Sequence, residues 1–258
     1  GGTQRCGFFD IKPNLFGVVN QIRTQASDYG NMTEHYNGMD ITMTARTAKG
    51  AQFSGGVSIG RQTIDACEVA AKVPESLNGA NGLTNGLNVG PGLLTTGAGG
   101  SWSSMRDCSV TPPWSALTQA KLLFVYPLPY DLQFSLVYQN FAGVANTATW
   151  AVTNGIVSPS LGRNISACGA NCTAASAFGS VEAISPGAQY EPRQNQVDLR
   201  VARRFKISQA SLRASMDLSN IFNAANVYSI NTGVGSQWLT ANEIQGGRIA
   251  RVNIQFEF

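Results

Sequence analysis

The sequence has little charge and no long apolar run. Only 13% of its 258 residues are charged, about half of the share usual in a soluble globular domain. No window approaches the eighteen or so consecutive apolar residues that a membrane-spanning helix needs. Mean hydropathy is still near zero, at −0.06, because glycine and uncharged polar residues replace the missing charges. This balance is typical of a membrane β-barrel, whose strands are apolar on one face and polar on the other, and is also compatible with a secreted β-sandwich.

Residues for catalysis and for nucleic-acid binding are also scarce. His35 is the only histidine, so no zinc triad can form, and no serine or cysteine has an evident general base. The net charge of +3 is small and dispersed, with no basic run, which argues against a nucleic-acid partner. We therefore predict no enzyme active site, no metal and no cofactor, and we expect His35 in a surface loop.

The five cysteines lack the CxxC spacing of a zinc site. They all fall in polar or glycine-rich segments, as expected for loop disulfides in an oxidising compartment. The spacing favours a bridge between Cys168 and Cys172 around a tight turn, and another between Cys67 and Cys108 across a long loop. This scheme assigns no partner to Cys6 within the chain. Free thiols in a cytosolic protein are the alternative.

Alternation of apolar and polar residues recurs along the chain, whereas helical periodicity is nearly absent. It predicts about seven strands of about 11–13 residues, long enough to rise about 30 Å at a tilt near 40°. The predicted strands cover residues 36–47, 51–62, 116–126, 132–141, 194–206, 210–221 and 247–258.

The predicted connections alternate between short and long. Residues 48–50, 127–131 and 207–209 form tight links, whereas 63–115, 142–193 and 223–246 form long ones. Outer-membrane barrels have this asymmetry, with short periplasmic turns and long extracellular loops. If the last strand ends at the periplasm, every short link is periplasmic and every cysteine is extracellular.

An odd number of about seven strands cannot close a single-chain bacterial barrel, which has an even number and at least eight. An open sheet edge in lipid would also leave backbone groups without hydrogen bonds. We therefore expect that the chain is the C-terminal portion of a barrel, and that the earlier strands and the partner of Cys6 lie upstream.

Three motifs resemble TonB-dependent receptor barrels of the outer membrane. The segment His35–Ile41 is similar to their tyrosine–glycine–acidic strand opening, and Met216–Asn223 is similar to their penultimate-strand motif. The last residues resemble the C-terminal aromatic signal read by the barrel-assembly machinery, here Ile254, Phe256 and Phe258. Three further segments resemble the receptors that also have an N-terminal carboxypeptidase-regulatory-like domain: Cys6–Pro13, Gly60–Thr63 with Asp65–Glu68, and Ser160–Asn164.

The resemblance implies a complete barrel of about 22 strands with a plug domain, in the outer membrane of a Gram-negative bacterium. It implies outer-membrane lipid, the rest of the barrel and its plug, the TonB complex and the barrel-assembly machinery as partners. No plug and no TonB box are recognisable in these residues, so ligand uptake is implied by the resemblance alone. The alternatives are a passive porin and a secreted, disulfide-bearing β-protein that acts in adhesion or assembly.

Seven charged residues on the polar faces of the last three predicted strands are the candidate functional side chains. They are Asp198, Arg200, Arg204, Arg213, Asp217, Arg251 and Glu257. In a barrel all of them would face the lumen, where they would contact a plug or line a ligand path. Cross-strand charge pairing in a polar wall, worth about 0.2–1 kcal/mol for each pair, is the interpretation that we favour.

Overall fold

The computed structural model describes residues 4–18, 24–74, 101–102, 105–168, 172–207 and 210–257. Its main feature is one antiparallel sheet with seven long strands. These strands are β1 (Thr33–Arg46), β2 (Gln52–Asp65), β5 (Gln119–Leu128), β6 (Leu132–Phe141), β9 (Gln194–Ile207), β10 (Ala210–Ser219) and β13 (Ile249–Glu257), and the shorter strands between them are described below. The order of the long strands across the sheet is β1-β2-β5-β6-β9-β10-β13.

All of the predicted long strands are present, and their ends differ from the predictions by a few residues. Strand β1 begins at Thr33 because it pairs with β2 as far as Asp65. His35 consequently lies in a strand and is exposed, so its assignment to a loop was wrong. Strand β10 ends before Asn220, whose φ of 53° is incompatible with an extended chain.

The register of the sheet aligns apolar residues across every pair of long strands. Leu136 of β6, for example, lies between Phe124 of β5 and Leu199 of β9. At the last edge, Val252 of β13 lies opposite Met216 of β10. Because side chains alternate between the two faces of a strand, this register gives one mainly apolar face and one mainly polar face.

The short connections all lie at one end of the sheet. Residues 47–51 join β1 to β2, where the Thr47 amide donates to the Ala51 carbonyl at 2.9 Å and Gly50 has a φ of +85°. The turn between β5 and β6 places Tyr130 and Asp131 at positive φ. Residues 208–209, which join β9 to β10, lie outside the described residues. The predicted alternation of short and long connections is therefore present.

The long connections contain secondary structure that the alternation pattern did not predict. Its strands are β3 (Ser101–Trp102), β4 (Ser109–Val110), β7 (Thr149–Thr153), β8 (Ala177–Glu182), β11 (Val227–Ile230) and β12 (Ala241–Ile244). Two helices, α1 (Cys67–Lys72) and α2 (Asn154–Leu161), lie in the same regions, so Cys67 begins a helix and not a loop. These elements have between two and eight residues, too few for a period to emerge from sequence.

Burial is concentrated in these connections and not on the main sheet. Ile165 is the largest side chain that is fully buried among the described residues, at 2% exposure. On the apolar face of the sheet, Val252 is 72% exposed and Phe256 is 62% exposed. The described residues supply no second layer over this face, and both β1 and β13 are sheet edges there.

No helix in the described part of the chain is long and apolar enough to cross a membrane.

Candidate functional site

The seven charged candidates share one face of the sheet. The register places Asp217 of β10 opposite Arg200 of β9 and opposite Arg251 of β13. Arg213 of β10 lies opposite Arg204 of β9, so two like charges are neighbours in the register there. Even-numbered positions of β9 and odd-numbered positions of β10 and β13 form this face, and it contains Asp198, Arg200, Arg204, Arg213, Asp217, Arg251 and Glu257.

Asp217 is the centre of a small polar network. Its Oδ1 lies 3.5 Å from Nε of Arg200, and its Oδ2 accepts a hydrogen bond of 2.6 Å from Asn253. Nη2 of Arg200 also donates to Oγ of Ser215 at 3.1 Å. Nearer to the short turns, Glu257 lies 3.9 Å from Nη2 of Arg204.

These contacts fit a structural polar wall better than a reactive site. The side chain of Arg200 is 48% exposed and that of Arg204 is 46% exposed. Solvent screens ion pairs of this kind, whose typical contribution is about 0–1 kcal/mol. Among the described residues, no group of three or more His, Cys, Asp or Glu side chains could hold a metal ion.

Hydrogen bonds from Asn220 and Asn223 of the penultimate-strand motif connect the end of β10 to the start of β13. We call this group of hydrogen bonds the Asn220–Asn223 clasp. Asn220 is 3% exposed. Its Nδ2 donates to the carbonyls of Ala224 and Gly246 at 2.9 and 3.0 Å, and its Oδ1 accepts from the Ala224 amide at 2.9 Å. Its own amide donates to Oδ1 of Asp198 at 2.8 Å.

Asn223 has the same φ of 53°, and its Oδ1 accepts a hydrogen bond from the Arg248 amide. Asparagine suits both positions because it tolerates positive φ better than most residues.

Replacing Asn220 by alanine is expected to lower the free energy of unfolding by about 2 kcal/mol, because three side-chain hydrogen bonds are lost at a positive φ. Denaturant titration measures the loss. Asn220→Gly is the matched control. It removes the same hydrogen bonds, but glycine adopts the positive φ without backbone strain. Equal stability of the alanine variant and the natural protein would contradict the clasp.

The residues of the predicted assembly signal lie at the end of the sheet with the short turns. Ile254 and Phe256 are on the apolar face of β13 and are 63% and 62% exposed. Phe256 lies opposite Leu212, which in turn lies opposite Phe205 of β9. Phe258 lies outside the described residues.

The structure joins the two cysteine pairs that spacing favoured, Cys67–Cys108 and Cys168–Cys172. The first bridge lies where β4 pairs with the end of β2, and the Ala66 amide donates to the Cys108 carbonyl at 3.0 Å. Residues 169–171, the expected tight turn, lie outside the described residues. Cys6 is exposed in the N-terminal segment, and the location of its disulfide partner stays a prediction.

Sequence reasoning missed a cavity at the end of the molecule with the long connections. It measures about 450 Å³ and lies between the N-terminal segment, helix α2 and strand β7. Its apolar lining includes Phe8, Phe9, Trp150, Ile156, Val157 and Ile165. The available signal was indirect: two segments that resemble receptor sequences, Cys6–Pro13 and Ser160–Asn164, meet here through Asp10 and Arg163.

Burial raises the pKa of Tyr190, which lies in the long connection between β6 and β9. Tyr190 forms an isolated antiparallel bridge with Ala145. We infer no acid–base role for it, because a hydroxyl with a raised pKa stays protonated at neutral pH.

No family model, no curated protein and no solved structure matches this chain.

Proposed function

We propose that the chain forms the C-terminal strands of a transmembrane β-barrel of the TonB-dependent receptor type, located in the outer membrane of a Gram-negative bacterium. The observation that supports this most strongly is the mainly apolar face of the main sheet. It is exposed on the two edge strands, with Val252 at 72% and Met39 at 56%, and is exposed or half-buried on the strands between them. A soluble monomer rarely exposes an apolar patch of more than a few hundred Å².

Strand length supports the same proposal. The long strands have from nine to fourteen residues, and at a tilt near 40° they rise about 23–35 Å. The apolar band of an outer-membrane barrel is about 25 Å tall. Most strands in soluble proteins have about five or six residues.

The placement of connections and disulfides gives the proposed orientation. The short turns would lie at the periplasmic rim, and both disulfides would lie outside the cell, where oxidising conditions keep them intact. The edges at β1 and β13 would pair with further strands, because free backbone groups are not tolerated in hydrocarbon.

The transport function rests on the resemblance of the strand opening, the Asn220–Asn223 clasp and the terminal aromatic residues. In this proposal the charged face of β9, β10 and β13 lines the lumen. A receptor with a plug would import its ligand with energy from the TonB complex, whereas a passive porin would need neither.

Cell fractionation tests the proposed location. We expect the full-length protein in the outer-membrane fraction, resistant to carbonate extraction and soluble only in detergent. Recovery as a folded monomer in aqueous buffer would contradict the membrane proposal and favour the secreted β-protein. If the protein is in the membrane, ligand uptake that persists after the TonB complex is removed would favour the porin.

A further inference from the structure

One arginine lies on the apolar face of the main sheet, near the end with the short turns. Arg203 of β9 is opposite Leu132 of β6 on one side and Ala214 of β10 on the other. Within the described parts of β6, β9, β10 and β13, no other residue of this face is charged. A charge on a lipid-facing surface is costly unless it reaches the interface or a partner. Arg203 therefore needs an interface or an anionic group.

The guanidinium of Arg203 is exposed and is not neutralised within the described part of the chain. It has no ion pair and no hydrogen bond there, and the contact that it makes is with a ring, since Cζ lies 4.8 Å from the ring centroid of Phe205. The carboxylates of Asp217 and Glu257 belong to the polar face. A guanidinium stacks on a ring through its flat face, so its N–H donors, which point outwards in the plane, stay available to an anion.

The position of Arg203 along β9 fits the level of lipid headgroups. Arg203 contacts Phe205, which is two residues nearer to the short turns, and the strand ends two residues further on, at Ile207. At about 3.3 Å per residue and a tilt near 40°, the Cα atom of Arg203 lies about 10 Å from that end. The long side chain of an arginine spans much of this distance, and its apolar stem can stay on the apolar surface while its charge reaches the interface.

We propose that Arg203, Phe205, Leu132 and Ala214, which we call the Arg203 patch, bind one anionic phospholipid of the phosphatidylglycerol type in the periplasmic leaflet. The phosphate accepts hydrogen bonds from the guanidinium, whose planar fork matches phosphate oxygens. The acyl chains lie on the apolar face beside the small side chain of Ala214. A zwitterionic lipid has a cation next to the same phosphate, so the anionic lipid binds more tightly. This inference rests on the proposed membrane location and names a lipid partner for it.

Native mass spectrometry of the purified full-length protein in detergent micelles tests the Arg203 patch, with phosphatidylglycerol and phosphatidylcholine added in equal amounts. We expect about fivefold more retained phosphatidylglycerol than phosphatidylcholine, the effect of one arginine at an anionic lipid surface. Arg203→Gln should abolish this preference. Arg204→Gln is the matched control, because it removes the same charge from the next residue, which belongs to the polar face, and it should keep the preference. Equal losses in the two variants would show general electrostatic attraction and overturn the proposal.

Ala214→Glu tests the same site without removing the arginine. The register places residue 214 directly opposite Arg203, so the new carboxylate should pair with the guanidinium and exclude the phosphate. We expect the preference for phosphatidylglycerol to disappear in this variant. Ala214→Gln adds a side chain of the same size without the charge and should keep the preference. A preference that persists in Ala214→Glu would overturn the proposal.

Two controls test other occupants of the Arg203 patch. Glycerophosphoglycerol, the headgroup without acyl chains, should not displace the lipid at equal concentration, and displacement would show that the patch recognises phosphate alone. Analytical ultracentrifugation in detergent should give the same mass for the natural protein and Arg203→Gln. A dimer that dissociates in this variant would place a second copy of the chain on the patch. Either of these contrary results would overturn the proposal.

Failure of the lipid site is distinguishable from failure of the membrane location. Protein that inserts into phosphatidylcholine vesicles and resists carbonate extraction, but shows no lipid preference, would overturn the Arg203 patch alone. Protein that stays folded in aqueous buffer and inserts into no vesicle would overturn both.

Discussion

Replacing Val252 by lysine is expected to lower the free energy of unfolding by about 2–4 kcal/mol in a lipid bilayer, the usual cost of a lysine on the lipid face near the membrane midplane. Val252 lies in the middle of β13 on the apolar face and is 72% exposed. In a soluble protein the same substitution at such an exposed position would change stability by no more than about 0.5 kcal/mol. The two environments therefore predict different results for one variant.

The measurement is a urea titration of the protein folded into phospholipid vesicles, followed by tryptophan fluorescence. Asn253→Lys is the matched control, because Asn253 is the next residue of the same strand and faces the polar side, where it donates to Asp217 at 2.6 Å. A lysine at 253 can pair with the same carboxylate. We expect a change of less than about 1 kcal/mol in this control. Equal effects of the two lysines would contradict a lipid-facing apolar surface.

Removing the Cys67–Cys108 disulfide is expected to destabilise the loop region around it by about 4 kcal/mol, from the loop-closure entropy of a chain of this length. The bridge joins residues that are 41 positions apart. It packs with Ala66 and Ala70 in a small buried cluster and holds β4 against the end of β2. The expected result is faster amide exchange in α1 and β4, with the central strands of the sheet unaffected.

Hydrogen exchange of the Cys67→Ser/Cys108→Ser variant measures this effect. The Cys168→Ser/Cys172→Ser variant is the control, since a bridge between residues four positions apart closes a much shorter loop and should contribute only about 2 kcal/mol. Reduction of the natural protein gives a second comparison without any substitution. Unchanged protection in α1 and β4 after removal of the long bridge would show that packing alone holds this region.

Agreement between the sequence and the fold is best where structure is local and repetitive. Alternation over residues 132–141 predicts strand β6 residue for residue, because side chains of a strand face opposite sides at every second position. The same alternation predicts that Arg200 and Asp217 lie on the polar faces of their strands, without knowledge of which strands pair. The ends of strands were less certain, since β1 gained three residues by pairing with β2.

The candidate functional residues show the same difference between local and long-range structure. The charged face of β9, β10 and β13 was predictable, because each charge lies at a polar position of an alternating strand. The cavity was not, because Asp10 in its wall is held by Arg163, which lies 153 positions away in the chain. No local pattern indicates that these two residues meet, and a short helix such as α2 leaves too weak a period to place its lining face.

The sequence by itself thus determined the long strands, their two faces and the alternation of short and long connections, since all three follow from the two-residue period of an extended chain and from turn length. Only the tertiary structure decided which strands are neighbours, that the long connections fold into small sheets and helices, and that Asp10 pairs with Arg163. These features depend on contacts between residues that are far apart in the chain. Such contacts form through packing and long-range hydrogen bonds, and no local periodicity of the sequence indicates them.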